Sequence, residues 1–148
     1  MNYTEEVGNK LNELLEKNYD AEAGYKTAKD QVENPQLKNF FGKQAEERYN
    51  FGHELKAELK SFGKEPDKGT SLKGDAHRAW MNIKSTFSSD KEEAILKEAI
   101  RGEKKAVEEY NEIINDTDLP AYTKTILTNH RNRIQETLNN VNMMEATH

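Results

Sequence analysis

The sequence predicts an all-α fold: a four-helix bundle of two antiparallel helical hairpins, joined by a long crossover that carries a short helix. Three observations predict it. Apolar residues recur at steps of three and four through four long stretches. Short breaks at Asn34-Pro35 and Asp118-Leu119-Pro120 separate the first two stretches and the last two. Between the pairs lies GKEPDKGTSLKG, residues 63–74, whose glycines and proline read as loop.

The first helix is expected over about residues 3–33, opened by an Asn2/Glu5 capping box. Its apolar stripe is Val7, Leu11, Leu14, Leu15, Ala21, Tyr25, Ala28 and Val32. Asn34 is a good N-cap and Pro35 suits the first helical position, so a second helix is expected over 35–62. It carries Leu37, Phe40, Phe41, Ala45, Phe51, Leu55, Leu59 and Phe62, and Gly63 stops it. Residues 63–89 form the crossover. Within it, DAHRAWMNIKSTF (75–87) places Ala76, Trp80, Ile83 and Phe87 on one face of a short amphipathic helix. Ser89 and Glu92 suggest a capping box for a third helix over 90–115, with Ile95, Ala99, Ala106, Tyr110, Ile113 and Ile114 inward. The fourth, over 119–144, carries Tyr122, Ile126, Leu127, Ile134, Leu138 and Val141.

Each main helix is about 25 residues, or roughly 40 Å at 1.5 Å per residue. The 2–3 connection is far longer than an ordinary loop. One such crossover between two hairpins is the ferritin-like arrangement. A plain up-down-up-down bundle also fits, if the excursion returns to its own end. An offset of 85 superposes Tyr25 on Tyr110, Pro35 on Pro120 and Arg48 on Arg133, which suggests two similar hairpins about a pseudo-twofold axis.

Composition narrows the function. Hydrophobic residues are 34% and charged residues 33%, the balance of amphipathic helices with solvated outer faces. The net charge of −5 argues against a general nucleic-acid or anionic-membrane binder. No apolar run approaches the roughly 20 residues a membrane helix needs. MNYTEEVGNKLNELL has no basic segment followed by an apolar one, so a cytoplasmic location is expected. The absence of cysteine removes disulfides, thiolate ligands and cysteine nucleophiles.

The candidate site comes from polar residues that fall on the apolar stripes near mid-helix. These are Asn18 and Glu22 on the first helix, and Gln44 and Arg48 on the second with Glu47 at the flank. Glu103 on the third follows, then His130 with Arg133 on the fourth. They predict a polar layer across the core. Two chemistries fit it. Glu22, Glu47, Glu103 and His130 are oxygen and imidazole ligands of the kind iron or manganese takes. Alternatively, Arg48 and Arg133 bond Glu22 and Glu103 in a buried ion-pair layer. The second is favoured. A permanently charged guanidinium repels a divalent ion, and the Glu-x-x-His of di-iron bundles is missing from the helices. In QAEERYNFGHEL, residues 44–55, the inward polar residue is then Arg48, with His53 at a boundary. His77 reads as a surface histidine and Trp80 as packing, or as a place for a partner to dock. Gly24, Gly42, Gly52 and Gly102 lie inside helices, where they permit close approach of a helix or the crossover or line a cavity.

Over residues 5–142 the chain resembles the bacterial domain-of-unknown-function 2383 family of uncharacterised ferritin-like four-helix bundles. The resemblance is carried by DAEAGYKTAKDQVENPQLKNFF, ERYNFGHELKAELKSFGKEP, SLKGDAHRAWMNIKS and ILKEAIRGEKKAVEEYNEII. It implies the ferritin-like bundle with its crossover and transfers no active-site residues. Glu103 seven residues before Tyr110 is similar to a metal-helix pattern of the wider superfamily, from which Asn18 before Tyr25 departs. The function expected is that of a non-catalytic, self-associating bundle without cofactor, a homo-oligomer that binds neither nucleic acid nor membrane. The alternative is a divergent carboxylate-bridged metalloprotein with oxygen or peroxide chemistry.

Overall fold

The computed structural model describes residues 3–67 and 88–147. Asn2 of the first expected capping box, the expected helix over 75–87 and its Trp80 and His77 lie outside the described residues, as does the side chain of Ser89. The described residues form four helices: α1 (Tyr3–Gln31), α2 (Pro35–Ser61), α3 (Ser88–Asp116) and α4 (Ala121–Thr147).

Local chemistry sets the boundaries. Asn34 Oδ1 accepts from the backbone N–H groups of Gln36 and Leu37 at 2.8 and 3.2 Å, which satisfies two donors that the start of α2 leaves open. Glu92 of α3 reaches across to the same turn. Its Oε2 accepts from the N–H groups of Glu33 and Asn34 at 3.3 and 3.2 Å, which ties the α1–α2 connection to α3. At the other end of α2, Phe62 caps the helix and Gly63 turns the chain at φ 72°, a conformation that costs glycine little.

Helix α1 packs on α2 and α3, and α4 packs on α2 and α3. Contacts across the seams fix the directions. The middle of α1 meets late α3 through Asn18 and Tyr110, while Gln31 at the end of α1 meets Lys91 near the start of α3. Glu58 near the end of α2 meets Thr123 near the start of α4, and Gln44 meets Thr137. All four neighbouring pairs are therefore antiparallel, and Ser61 and Ser88 stand at opposite ends of the bundle. Residues 64–67 run along the outside of α1. Asn12 donates to the Glu65 carbonyl at 3.3 Å and accepts from Asp67 N–H at 2.8 Å, and Tyr19 donates to the Asp67 carbonyl at 3.4 Å.

The core divides into two apolar clusters. One holds Leu11, Leu14, Leu15, Leu55, Leu59, Ile113, Leu127 and Ile134, with Phe51 and Tyr110 at its inner edge. The other holds Ala28, Val32, Phe40, Phe41, Ile95, Leu96 and Val141, with Tyr25, Ala45 and Ala99 at its inner edge. Two expected stripe residues are not in the core: Ala21 is only half-buried and belongs to neither cluster, and Tyr122 is 71% exposed. The tyrosine lies in the first turn of α4, where Leu119 packs on the first cluster instead.

Candidate functional site

Between the two clusters every helix supplies a buried polar side chain: Asn18 from α1, Arg48 from α2, Glu103 from α3 and His130 from α4. The 3.6-residue period brings each to the inner face, because each stands three or four residues from a core residue of its own helix. Arg48 is at the centre, 4% exposed. Its Nη1 donates to Asn18 Oδ1 at 2.8 Å and its Nη2 to Glu103 Oε1. Asn18 Nδ2 donates to the Leu14 carbonyl and to Tyr110 Oη, both at 2.9 Å. Tyr110 Oη lies 3.1 Å from His130 Nδ1, and His130 Nε2 lies 3.3 Å from Glu54 Oε1. Phe51 stacks on the imidazole with ring centroids 4.0 Å apart.

The hydrogen-bond polarity of this chain runs one way. Asn18 donates to Tyr110, so the tyrosine O–H is free to donate to His130 Nδ1, and the Nε2–H then donates to the Glu54 carboxylate. The opposite tautomer turns a lone pair on the carboxylate and leaves the phenol proton without an acceptor. A connected path thus links the buried cation to a carboxylate at the surface.

Burial sets the protonation states. The His130 pKa is lowered to about 3 by burial, then by the positive charges of Arg48 and Arg133. The Glu54 carboxylate pulls the other way, but its side chain is 53% exposed and solvent weakens it. Tyr110 is pushed up to about 12, mainly by burial. Tyr25 is pushed well above its usual value by burial and then by Glu103. Burial alone lowers the Arg48 pKa, but Glu103, Tyr25 and Tyr110 outweigh it and the net direction is up. Burial raises the Glu103 carboxyl against the opposing pull of Arg48. Tyr25 Oη and Glu103 Oε2 are buried and, among the described residues, have no partner in good hydrogen-bond geometry; they still act on each other, the carboxylate raising the phenol and the phenol O–H pulling the carboxyl down. At neutral pH the layer holds a fixed cation, neutral phenols and a neutral imidazole.

The other expected members sit elsewhere. Arg133 is not in the layer: its side chain is 62% exposed and bonds Glu47 at 2.8 Å on the outside of the α2/α4 seam. The physical reason is a shortage of buried acid. Asn18 and Glu103 are related by the 85-residue offset, but only one of them is charged, so the core neutralises one guanidinium and not two. Glu22 is half-buried and bonds Lys26 of its own helix at 2.7 Å, not an arginine. Gln44 is half-buried and accepts from Thr137 at 2.9 Å. His53 is exposed and stacks on Tyr49. Of the four metal-ligand candidates, Glu22, Glu47 and Glu103 each pair with a cation, and both ring nitrogens of His130 have partners. Among the described residues no three His, Cys, Asp or Glu side chains come close enough to hold a metal ion.

Sequence reasoning took Tyr25 and Tyr110 as core and missed their hydroxyls. The signal was available, since a tyrosine on an apolar stripe still needs a partner for its O–H. It also missed Glu58, which is 8% exposed and accepts from Thr123 at 2.7 Å, and Glu54 as partner of His130. A groove of about 710 Å³ follows the α2/α4 seam beside His130 and Phe51, lined also by Glu47, Asn50, Glu54, Asn129 and Arg133.

Residues 6–116 match the family described as Domain of unknown function (DUF2383), about three quarters of the chain. The chain belongs to that family. No curated protein matches it, and no solved structure does. The DUF2383 description assigns no activity, so the geometry carries the functional reading. No helix among the described residues is long and apolar enough to cross a membrane.

Proposed function

We propose that the chain is a ferritin-like bundle whose arginine–carboxylate layer takes the place of a di-metal centre, and that it works by association between copies and not by catalysis. The carrying observation is the Arg48 guanidinium, buried at mid-core and bonded to Asn18 and Glu103 at once. In a metal-bearing bundle of this architecture the inward mid-helix positions hold ligands. Here they hold a cation that cannot lose its charge. The opposite ends at which Ser61 and Ser88 stand support a single crossover through the connecting segment. A bundle of this kind acts through its surface. Tyr49 and Met143, 55% and 68% exposed on otherwise polar faces, support contact with a second copy. A cytoplasmic setting and the absence of nucleic-acid and membrane partners belong to the same reading.

The test is untagged protein from iron- and manganese-supplemented medium, measured by elemental analysis and by sedimentation equilibrium. The reading expects metal well below one equivalent per chain and a dimer or larger assembly. About one or two equivalents of metal, lost on Glu103→Gln, would return the carboxylate-bridged metalloprotein with its oxygen chemistry. A monomer at every concentration would remove self-association.

A further inference from the structure

The α2/α4 seam is closed unevenly. Glu58 with Thr123 fastens it near one end, and Gln44 with Thr137 near the other. Between them, among the described residues, the polar side-chain contacts across the groove are the Arg133–Glu47 pair outside and the His130–Glu54 contact inside, and Phe51 stacks on the same imidazole. The inner contact involves a titratable ring whose two nitrogens have fixed and opposite hydrogen-bond roles. Nδ1 accepts from Tyr110, and Nε2–H donates to Glu54.

We propose that His130 is an acid-operated latch on the α2/α4 groove: a proton taken up at Nδ1 ends its acceptance from Tyr110, and the bundle opens along that seam. The reasoning is a matter of donors and acceptors. An imidazolium donates at both nitrogens. Its new Nδ1–H points at a phenol whose own proton points back at it. The Tyr110 proton must then turn toward Asn18 Nδ2, which is also a donor. Asn18 orients Arg48 through its other amide atom, so the conflict runs from the groove to the central ion pair. Opening the seam relieves it by giving the imidazolium to water.

The charges around the ring favour the neutral, closed state. From α2 the ring faces Glu54 and, deeper, Arg48, with Lys43, Glu46 and Glu47 along the same groove. From α3 it faces Tyr110, and from its own helix Arg133. Helix α1 contributes the neutral Asn18 through Tyr110. Burial and the two arginines lower the closed-state pKa to about 3, against 6.5 for a solvated histidine. The sign follows. Between those values the open state binds more protons, so the closed state is fully favoured above 6.5 and loses ground as pH falls through the window. From pH 7 to pH 5 the open fraction rises by up to about 25-fold, with Glu54 reducing that figure.

The test is amide hydrogen exchange of the full chain between pH 7 and 5, corrected for intrinsic exchange, in wild type and His130→Asn. Asparagine keeps an acceptor near the Nδ1 position and cannot take a charge. Wild type is expected to gain exchange tenfold or more in residues 47–54 and 127–134, and the variant to stay flat. Equal responses would overturn the latch. Should the variant not fold, a pH titration of the His130 ring resonance in wild type decides. A folded signal without inflection down to pH 5, together with rising amide exchange in residues 47–54 and 127–134, supports the latch; an ordinary inflection near 6.5, or unchanged exchange in those residues, overturns it.

Discussion

Replacing Arg48 with methionine removes the charge and keeps most of the aliphatic volume. The structure sets the consequence. Glu103, 3% exposed, loses the cation it bonds, and Asn18 Oδ1 loses the Arg48 donor. Breaking a buried pair by removing one partner costs about 3–5 kcal/mol, because a charge is left stranded. At about 2.1 cal/mol/K per residue, a chain of this length loses roughly 3 °C of Tm per kcal/mol, so the expected drop is about 10–16 °C. The deficit also depends on pH. Burial raises the Glu103 carboxyl even with Arg48 present, and without Arg48 it rises further. A carboxyl with a raised folded-state pKa contributes stability at low pH and loses it as pH rises through that pKa. The Arg48→Met deficit is therefore largest at pH 7 and shrinks on acidification. Adding Glu103→Leu to Arg48→Met should recover most of the loss, since an apolar replacement of a whole pair is often neutral or better. Thermal melts followed by circular dichroism measure all of this. A single variant that melts within about 3 °C of wild type would refute the reasoning, for the corresponding loss is under 1 kcal/mol.

Further outcomes follow from the same geometry. Arg133→Ala, at the repeat-related position, should cost less than about 1 kcal/mol because its pair with Glu47 is largely in solvent, and denaturant melts compare it directly with Arg48. Thr123→Val should cost about 1–3 kcal/mol by leaving the Glu58 carboxylate without its donor, read from the urea midpoint at constant m. Gly102→Ala should stabilise by about 0.5–1 kcal/mol, since a Cβ there meets nothing within 4 Å among the described residues and α3 gains helix propensity. A loss of stability in that last variant would place an unexpected neighbour against α3.

The apolar period and the two cap-and-proline breaks were enough to read the four helices, because both act locally. Arg48 was legible as inward because it lies between Ala45 and Phe51, both buried. Arg133 was not separable from it in sequence. It too borders a core residue, Ile134, and a single step rotates a helix by about 100°. What distinguishes them is the neighbour across the bundle, which no local pattern contains. The same holds for Glu22, whose i,i+4 lysine satisfies it within α1. Glu54 was overlooked because its own helix position is exposed, and its relevance comes from the imidazole opposite. Leu119 and Tyr122 show the limit at helix ends, where the chain chooses between two apolar residues by its entry angle.

The central claim is that one arginine side chain is held inside the core by a carboxylate and an amide. Its most direct test is the guanidinium itself, by ¹⁵N-resolved NMR of the arginine side chains at neutral pH. The account predicts separate, slowly exchanging Nη protons for one arginine, absent in Arg48→Lys and weakened in Glu103→Gln. Averaged, solvent-rate exchange for every arginine in a fully helical protein would contradict it.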